Sequence, residues 1–154
     1  MAYARVFGLV SARPCSPPAF SHKVKVKGAK AAGLRYEREV AGALPMALHG
    51  QWFTYLDVNG QAYCQPDIIL LTEKEILVLE VKLKWTPQAL DQLKYLYLPI
   101  LSHVYARPIR CAVVTKILTP NSPPPFQSIA AALTSPSHTI PLIHWLGTTP
   151  FLSS

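Results

Sequence analysis

Asp67, Glu80 and Lys82 are the residues of this chain whose types and spacing could do chemistry. Two carboxylates on neighbouring strands offer hard oxygen ligands, which suit Mg²⁺ or Mn²⁺. An ion held by Asp67 and Glu80 would act as a Lewis acid and lower the pKa of a bound water. Lys82, projecting beside them, could orient that water or stabilise charge building up on a phosphate. The chemistry this set predicts is hydrolysis of a phosphodiester bond.

Strands must position these groups. Ile76–Leu83 is apolar on both faces until its end, the pattern of a central strand covered on each side. Alternation puts Glu80 and Lys82 on the side of Ile76 and Val78, and leaves Leu77, Leu79, Val81 and Leu83 on the other. With Glu73 and Lys74 at the tip of the preceding turn, Leu71 pairs with Ile76, Ile69 with Val78, and Asp67 with Glu80. Like charges so paired stand about 4.5–5.5 Å apart at Cβ and repel unless a cation lies between them. Glu37 comes from a different element. Helical projection of Ala31–Leu44 sets Leu34, Tyr36, Val40, Ala41, Ala43 and Leu44 on one arc, with Arg35, Arg38, Glu39 and Gly42 opposite, and Glu37 falls inside the apolar arc. A carboxylate aimed at a core needs a partner or a metal.

The remaining pattern predicts strands at Trp52–Asp57, Tyr63–Leu71 and Ile109–Thr115, a helix from Pro87 to about Tyr105, and an edge strand at Ile140–Trp145. The expected class is therefore α/β, a central mixed sheet flanked by helices in the order αβββαβ. Asn59-Gly60 marks a hairpin that pairs the first two strands antiparallel. Thr86-Pro87 supplies an N-cap and first-turn proline, and Pro99 should kink or split the long helix. Residues 1–30 read as a loose basic arm carrying Lys23, Lys25 and Lys27, residues 31–118 as the core, and residues 119–154 as a Pro-rich extension packed on it, with a small helical patch near Phe126–Leu133.

Pro66-Asp67 followed by Glu80-Val81-Lys82 resembles the PD-(D/E)XK nuclease superfamily, whose members include restriction endonucleases, Holliday-junction resolvases and phage exonucleases. The helix bearing Glu37 matches that family's first motif, and the resemblance spans about Ala31–Thr115. It implies a restriction endonuclease-like core in which Asp67 and Glu80 bind metal directly and the Val81 carbonyl completes the shell. Glu37 would act directly or through water, and Lys82 would be catalytic. Gln92 resembles an auxiliary residue of several branches, although Tyr95 follows it by three positions where the RecB-like branch has four. Resolvase-like members act as dimers, so the resemblance also implies a homodimer.

Fifteen basic residues against eight acidic ones give a net charge of +7 over 154 residues, which favours a polyanionic partner such as DNA. Lys84, Lys94, Arg107, Arg110 and Lys116 surround the proposed cleft in sequence order and are expected to contact phosphates, together with Lys23, Lys25 and Lys27. Cys15, Cys64 and Cys111 form neither a disulfide framework nor a zinc spacing, and no iron–sulfur ligand set is visible. No apolar run is long enough to span a membrane and no secretory leader is read, so a soluble protein of the cytoplasm is expected, or of the host cytoplasm for a viral chain. The histidines are scattered and read as ordinary surface or core residues, and Trp52, Trp85 and Trp145 as packing. The expected function is a metal-dependent, structure-selective DNA nuclease. The alternatives are a nucleic-acid-binding protein that keeps the nuclease-like fold without cleavage, and a structural or assembly factor.

Overall fold

Pro66 cannot donate to a β-ladder, and the chain changes sheets where it stands. In the computed structural model, which describes residues 5–21, 28–136 and 138–147, the elements run β1 (Ser11–Cys15), a 3₁₀ turn (Ala19–Ser21), α1 (Ala29–Gly42), β2 (Leu48–His49), β3 (Trp52–Asp57), β4 (Gly60–Cys64) and β5 (Ile68–Leu71). They continue with β6 (Ile76–Lys84), α2 (Gln88–Gln92), a π turn (Leu93–Tyr97), α3 (Leu98–Val104), β7 (Ile109–Ile117), α4 (Ile129–Ala132) and β8 (Leu142–His144). The fold is α/β with a mixed five-stranded sheet in the order β2-β5-β6-β7-β8 and a separate antiparallel sheet, β1-β3-β4.

The stretch Tyr63–Leu71, expected as one strand, is thus two. Gly60–Cys64 stays with β3, while Ile68–Leu71 joins the larger sheet, with the break at Gln65-Pro66-Asp67. The hairpin expected at Asn59-Gly60 forms, with Asp57 opposite Gly60. Its two loop residues are Val58 and Asn59, and the positive φ falls on Gly60 at 104° rather than on Asn59. Asp57 anchors the turn by accepting the Asn59 N–H at 2.8 Å and the Phe7 N–H at 3.0 Å.

Strand β6 is the spine. It pairs antiparallel with β5 and parallel with β7, and Leu71 meets Ile76 and Ile69 meets Val78 in the expected register. Its two faces bury two apolar layers. Ile76 and Val78 pack with Ile69, Cys111 and Val113 against Leu93, Leu96, Ile100 and Leu101 and the inner side of the small sheet. Leu77, Leu79 and Val81 pack with Ile68, Ala112 and Val114 against Tyr36, Val40 and Leu44 of α1.

Two expected segment boundaries are corrected. Ser11–Cys15 is not part of a loose arm but an edge strand on β3. Pro14 fits there because an edge strand can turn its missing N–H outward. Lys23, Lys25 and Lys27 lie outside the described residues. At the other end, β8 extends the large sheet in parallel with β7, and the Tyr36 hydroxyl donates to the Trp145 carbonyl at 2.9 Å, so residues 126–145 belong to the core rather than to an added extension.

The long helix is interrupted ahead of Pro99. In the π turn the Leu98 N–H reaches back five residues to the Leu93 carbonyl. Pro99 has no N–H for the Tyr95 carbonyl four residues before it. That carbonyl accepts the Val6 N–H at 3.1 Å instead. Among the described residues no helix is long and apolar enough to cross a membrane.

Candidate functional site

The β5–β6 ladder carries its pairing as far as Ile68 and Leu79, and the next residues in register are Asp67 and Glu80. Their side chains share a face, since Asp67 has the parity of Ile69 and Glu80 that of Val78. The two carboxyls are hydrogen-bonded to one another. Asp67 Oδ2 also accepts the Val81 N–H at 2.8 Å. A strand residue directs its N–H and C=O toward the same neighbour, so the Val81 carbonyl faces this end of β5 too. Glu80 is 2% exposed, and its Oε2 receives no donor among the described residues.

Glu37 arrives from α1, which covers the opposite face of the sheet. Tyr36 and Val40 anchor that helix in the core, and Glu37 reaches around the sheet's end to hydrogen-bond Asp67. His49, the residue of β2 paired with Ile68, stands with Nε2 3.9 Å from Glu37 Oε2. Lys82 has the parity of Glu80, is partly buried, and its charge acts on both Glu37 and Glu80.

Three carboxyls in contact in a water-poor corner resist ionisation. Burial first, and then the hydrogen bond and charge of Asp67, push Glu37 up to about 8, against the lowering pull of His49 and Lys82. Asp67 is held well above the usual carboxylate range by burial and then by Glu80. Glu80 is raised by burial, with Asp67 and Lys82 opposing. Carboxyls that hydrogen-bond to one another must share protons, and a divalent cation is the other charge that can relieve their repulsion. In donor chemistry the set fits a hard ion, with Glu80 Oε2 as a buried oxygen lacking a donor. As the side chains stand, no group of three His, Cys, Asp or Glu among the described residues is arranged to hold one. Binding would therefore exchange the carboxyl–carboxyl hydrogen bonds for metal–oxygen bonds.

The structure gives Gln92 a partner that the sequence did not indicate. Its Nε2 donates to the Tyr97 hydroxyl at 3.2 Å, and that hydroxyl donates to the Gln65 carbonyl at 3.2 Å, two residues before Asp67. Tyr97 is buried, and its hydroxyl is raised by burial and then by the charges of Glu80 and Asp67, which places it beside the carboxyls. Regular helical spacing points from Gln92 to Tyr95 or Leu96, and only the wider π turn brings Tyr97 round. His49 was likewise missed. It comes to the site through the two-residue β2, whose pairing with β5 no sequence pattern marks.

The basic residues divide. Lys84 and Lys116 are exposed at the C-terminal ends of β6 and β7, the end that holds Glu80 and Lys82. Lys94 is exposed on the π turn, 5.3 Å from the Tyr95 ring centroid. Arg107 and Arg110 do not surround the cleft. Arg110 pairs in register with Leu77 and binds Glu75 at 3.1 Å, and Arg107 donates to the Thr72 carbonyl at 2.5 Å. Both sit toward the β5–β6 turn, Arg110 about 10 Å along the sheet from Glu80 at roughly 3.3 Å per residue and Arg107 farther still. The error arose because order in sequence does not say at which end of a strand a residue lies. Comparison of the chain with models of known protein families, with characterised proteins and with solved structures returns no match.

Proposed function

We propose that this chain is a divalent-metal-dependent nuclease that hydrolyses phosphodiester bonds in DNA. The observation that carries the reading is the meeting of Asp67, Glu80 and Glu37, from two strands and a helix, in one buried corner next to Lys82. Folded proteins do not gain stability by crowding carboxyls that must stay protonated, so such a set points to a use. Asp67 and Glu80 would hold Mg²⁺ or Mn²⁺, with the Val81 carbonyl on the same side of β6 and Glu37 acting directly or through water. The ion would supply Lewis acidity and an activated water. Lys82 contributes a fixed positive charge that favours the more negative transition state over the bound diester. Gln92 and Tyr97 hold the Gln65–Asp67 segment through the Gln65 carbonyl, and so set the direction of the Asp67 side chain. Lys84 and Lys116 would hold the backbone of the nucleic acid by its phosphates, without reading sequence.

The test is cleavage of labelled linear, circular and four-way-junction DNA by the purified protein with Mg²⁺ or Mn²⁺. Turnover is expected to need the ion and to vanish in Asp67→Ala, Glu80→Ala and Lys82→Ala variants that remain folded by circular dichroism. Undiminished turnover in all three would remove the proposal. Salt-sensitive binding with no turnover in either metal would establish the non-cleaving nucleic-acid-binding protein in its place.

A further inference from the structure

The small sheet has an outer face that the core does not use. Its register aligns Arg13 with Thr54 and Thr54 with Tyr63, and sets Trp52 two residues from Thr54 on the same side. The opposite side carries Phe53, Tyr55 and Cys64 into the interior. Phe20, from the 3₁₀ turn, lies over this face. Its ring centroid is 5.9 Å from Trp52 and 5.7 Å from Tyr63, edge-on to both. Phe20 is 70% exposed and Tyr63 38% exposed, so three rings gather at the surface rather than in a core. Arg13 is exposed and has no ion pair among the described residues. No acidic residue of β1, β3 or β4 points outward, since Asp57 is buried and tied to the hairpin. A cavity of about 230 Å³ opens between Arg13, Thr54, Leu56 and Gln61.

We infer that this face is a stacking platform for an unpaired nucleic-acid strand, which it leads toward the carboxyl corner. Flat rings with a cation beside them match a base and its phosphate, and ring stacking accepts any base. A duplex keeps its bases stacked on one another and offers those rings nothing. Position along the sheet supports the direction. The exposed aliphatic residues Leu56 and Val58 are at the hairpin end, whereas Tyr63 is at the end where the chain runs through Gln65 to Asp67. As a statement of which strand reaches the carboxyls, the inference rests on the nuclease reading. As a binding surface it is measurable without turnover.

The experiment is fluorescence anisotropy in EDTA with labelled oligodeoxythymidylate, oligouridylate of equal length and a duplex. Both single strands are expected to bind more tightly than the duplex, and the ratio between them assigns the platform to DNA or RNA. The Phe20→Ala/Tyr63→Ala double variant should bind single strands about tenfold more weakly, and Arg13→Gln should weaken binding and flatten its salt dependence. Any of three results overturns the inference: a duplex bound as tightly as single strands, a folded double variant with parental affinity, or no binding at low salt, which would leave the face to a protein partner. Cleavage is measured separately with Mg²⁺ on the same preparation. Its absence would remove the nuclease reading while the binding comparison stands.

Discussion

The two ends of the large sheet use the same residue types in opposite ways. At the β5–β6 turn, Glu75 meets Arg110 at 3.1 Å, Arg110 also donates to the Ser135 carbonyl at 3.2 Å, and Arg107 closes on the Thr72 carbonyl. At the far end, Asp67, Glu80 and Glu37 face one another, and among the described residues the partly buried Lys82 and His49, 3.9 Å from Glu37, offset them. One end is electrostatically settled and the other is loaded. Paired charges there hold a turn in place, whereas crowded carboxyls here cost stability once they ionise, an arrangement that the proposed metal site would explain.

The largest effect that would sharpen this contrast comes from equivalent changes at the two ends. Glu80→Gln should lower metal-dependent cleavage by at least about a hundredfold while leaving the melting temperature equal or higher. Glu75→Gln should leave cleavage unchanged and cost about 1 kcal/mol in denaturant unfolding. A Glu80→Gln protein that unfolds more easily and still cuts would make the loaded end merely structural.

The pH dependence of stability comes next. An unfolded chain releases the Glu37 proton near 4.5, whereas the folded chain keeps it until about 8. Between those values the unfolded state binds fewer protons than the folded one, so stability falls as pH rises through the window. Asp67 and Glu80 shift in the same direction. Thermal melts without metal are expected to drop by several degrees from the acid to the alkaline end of that range, and Mg²⁺ should restore most at the alkaline end. A melting temperature that climbs with pH would contradict the crowding. The smallest expected effect belongs to Gln92→Ala, which loses the Tyr97 hydrogen bond. About 1 kcal/mol of stability should go, with no change in the slope against pH.

Much of the loaded end was legible in the sequence because alternation is a strict rule. Once Glu73 and Lys74 are taken as the tip, each pair from Leu71–Ile76 back to Asp67–Glu80 follows, and the charges in β6 stand out against an apolar strand. Glu37 was legible for the same reason, as a carboxylate inside a helical apolar arc. What could not be read were features set by tertiary contact. Ser11–Cys15 has no alternating apolar pattern and contains a proline, and it is a strand only because β3 offers an edge. Arg107 and Arg110 have the composition of phosphate contacts, but their partners Thr72 and Glu75 are known only from the fold. The break in Tyr63–Leu71 was marked by Pro66, which counted as part of a motif and not as punctuation.

The π turn carries a consequence for sequence length. It holds one residue more than an α-helical path between Gln92 and Leu98 would need, and each residue of an α-helix advances about 100° around its axis. Forcing all five residues of Leu93–Tyr97 into α-helical bonding would therefore swing α3 through about that angle. Ile100 and Leu101 would then turn out of the interior, and the tyrosine hydroxyl would lose the Gln65 carbonyl. A chain one residue shorter here could run as a continuous α-helix and still turn Ile100 and Leu101 inward, so a shortening of this stretch is expected to come with loss of the π turn rather than with a rotated α3.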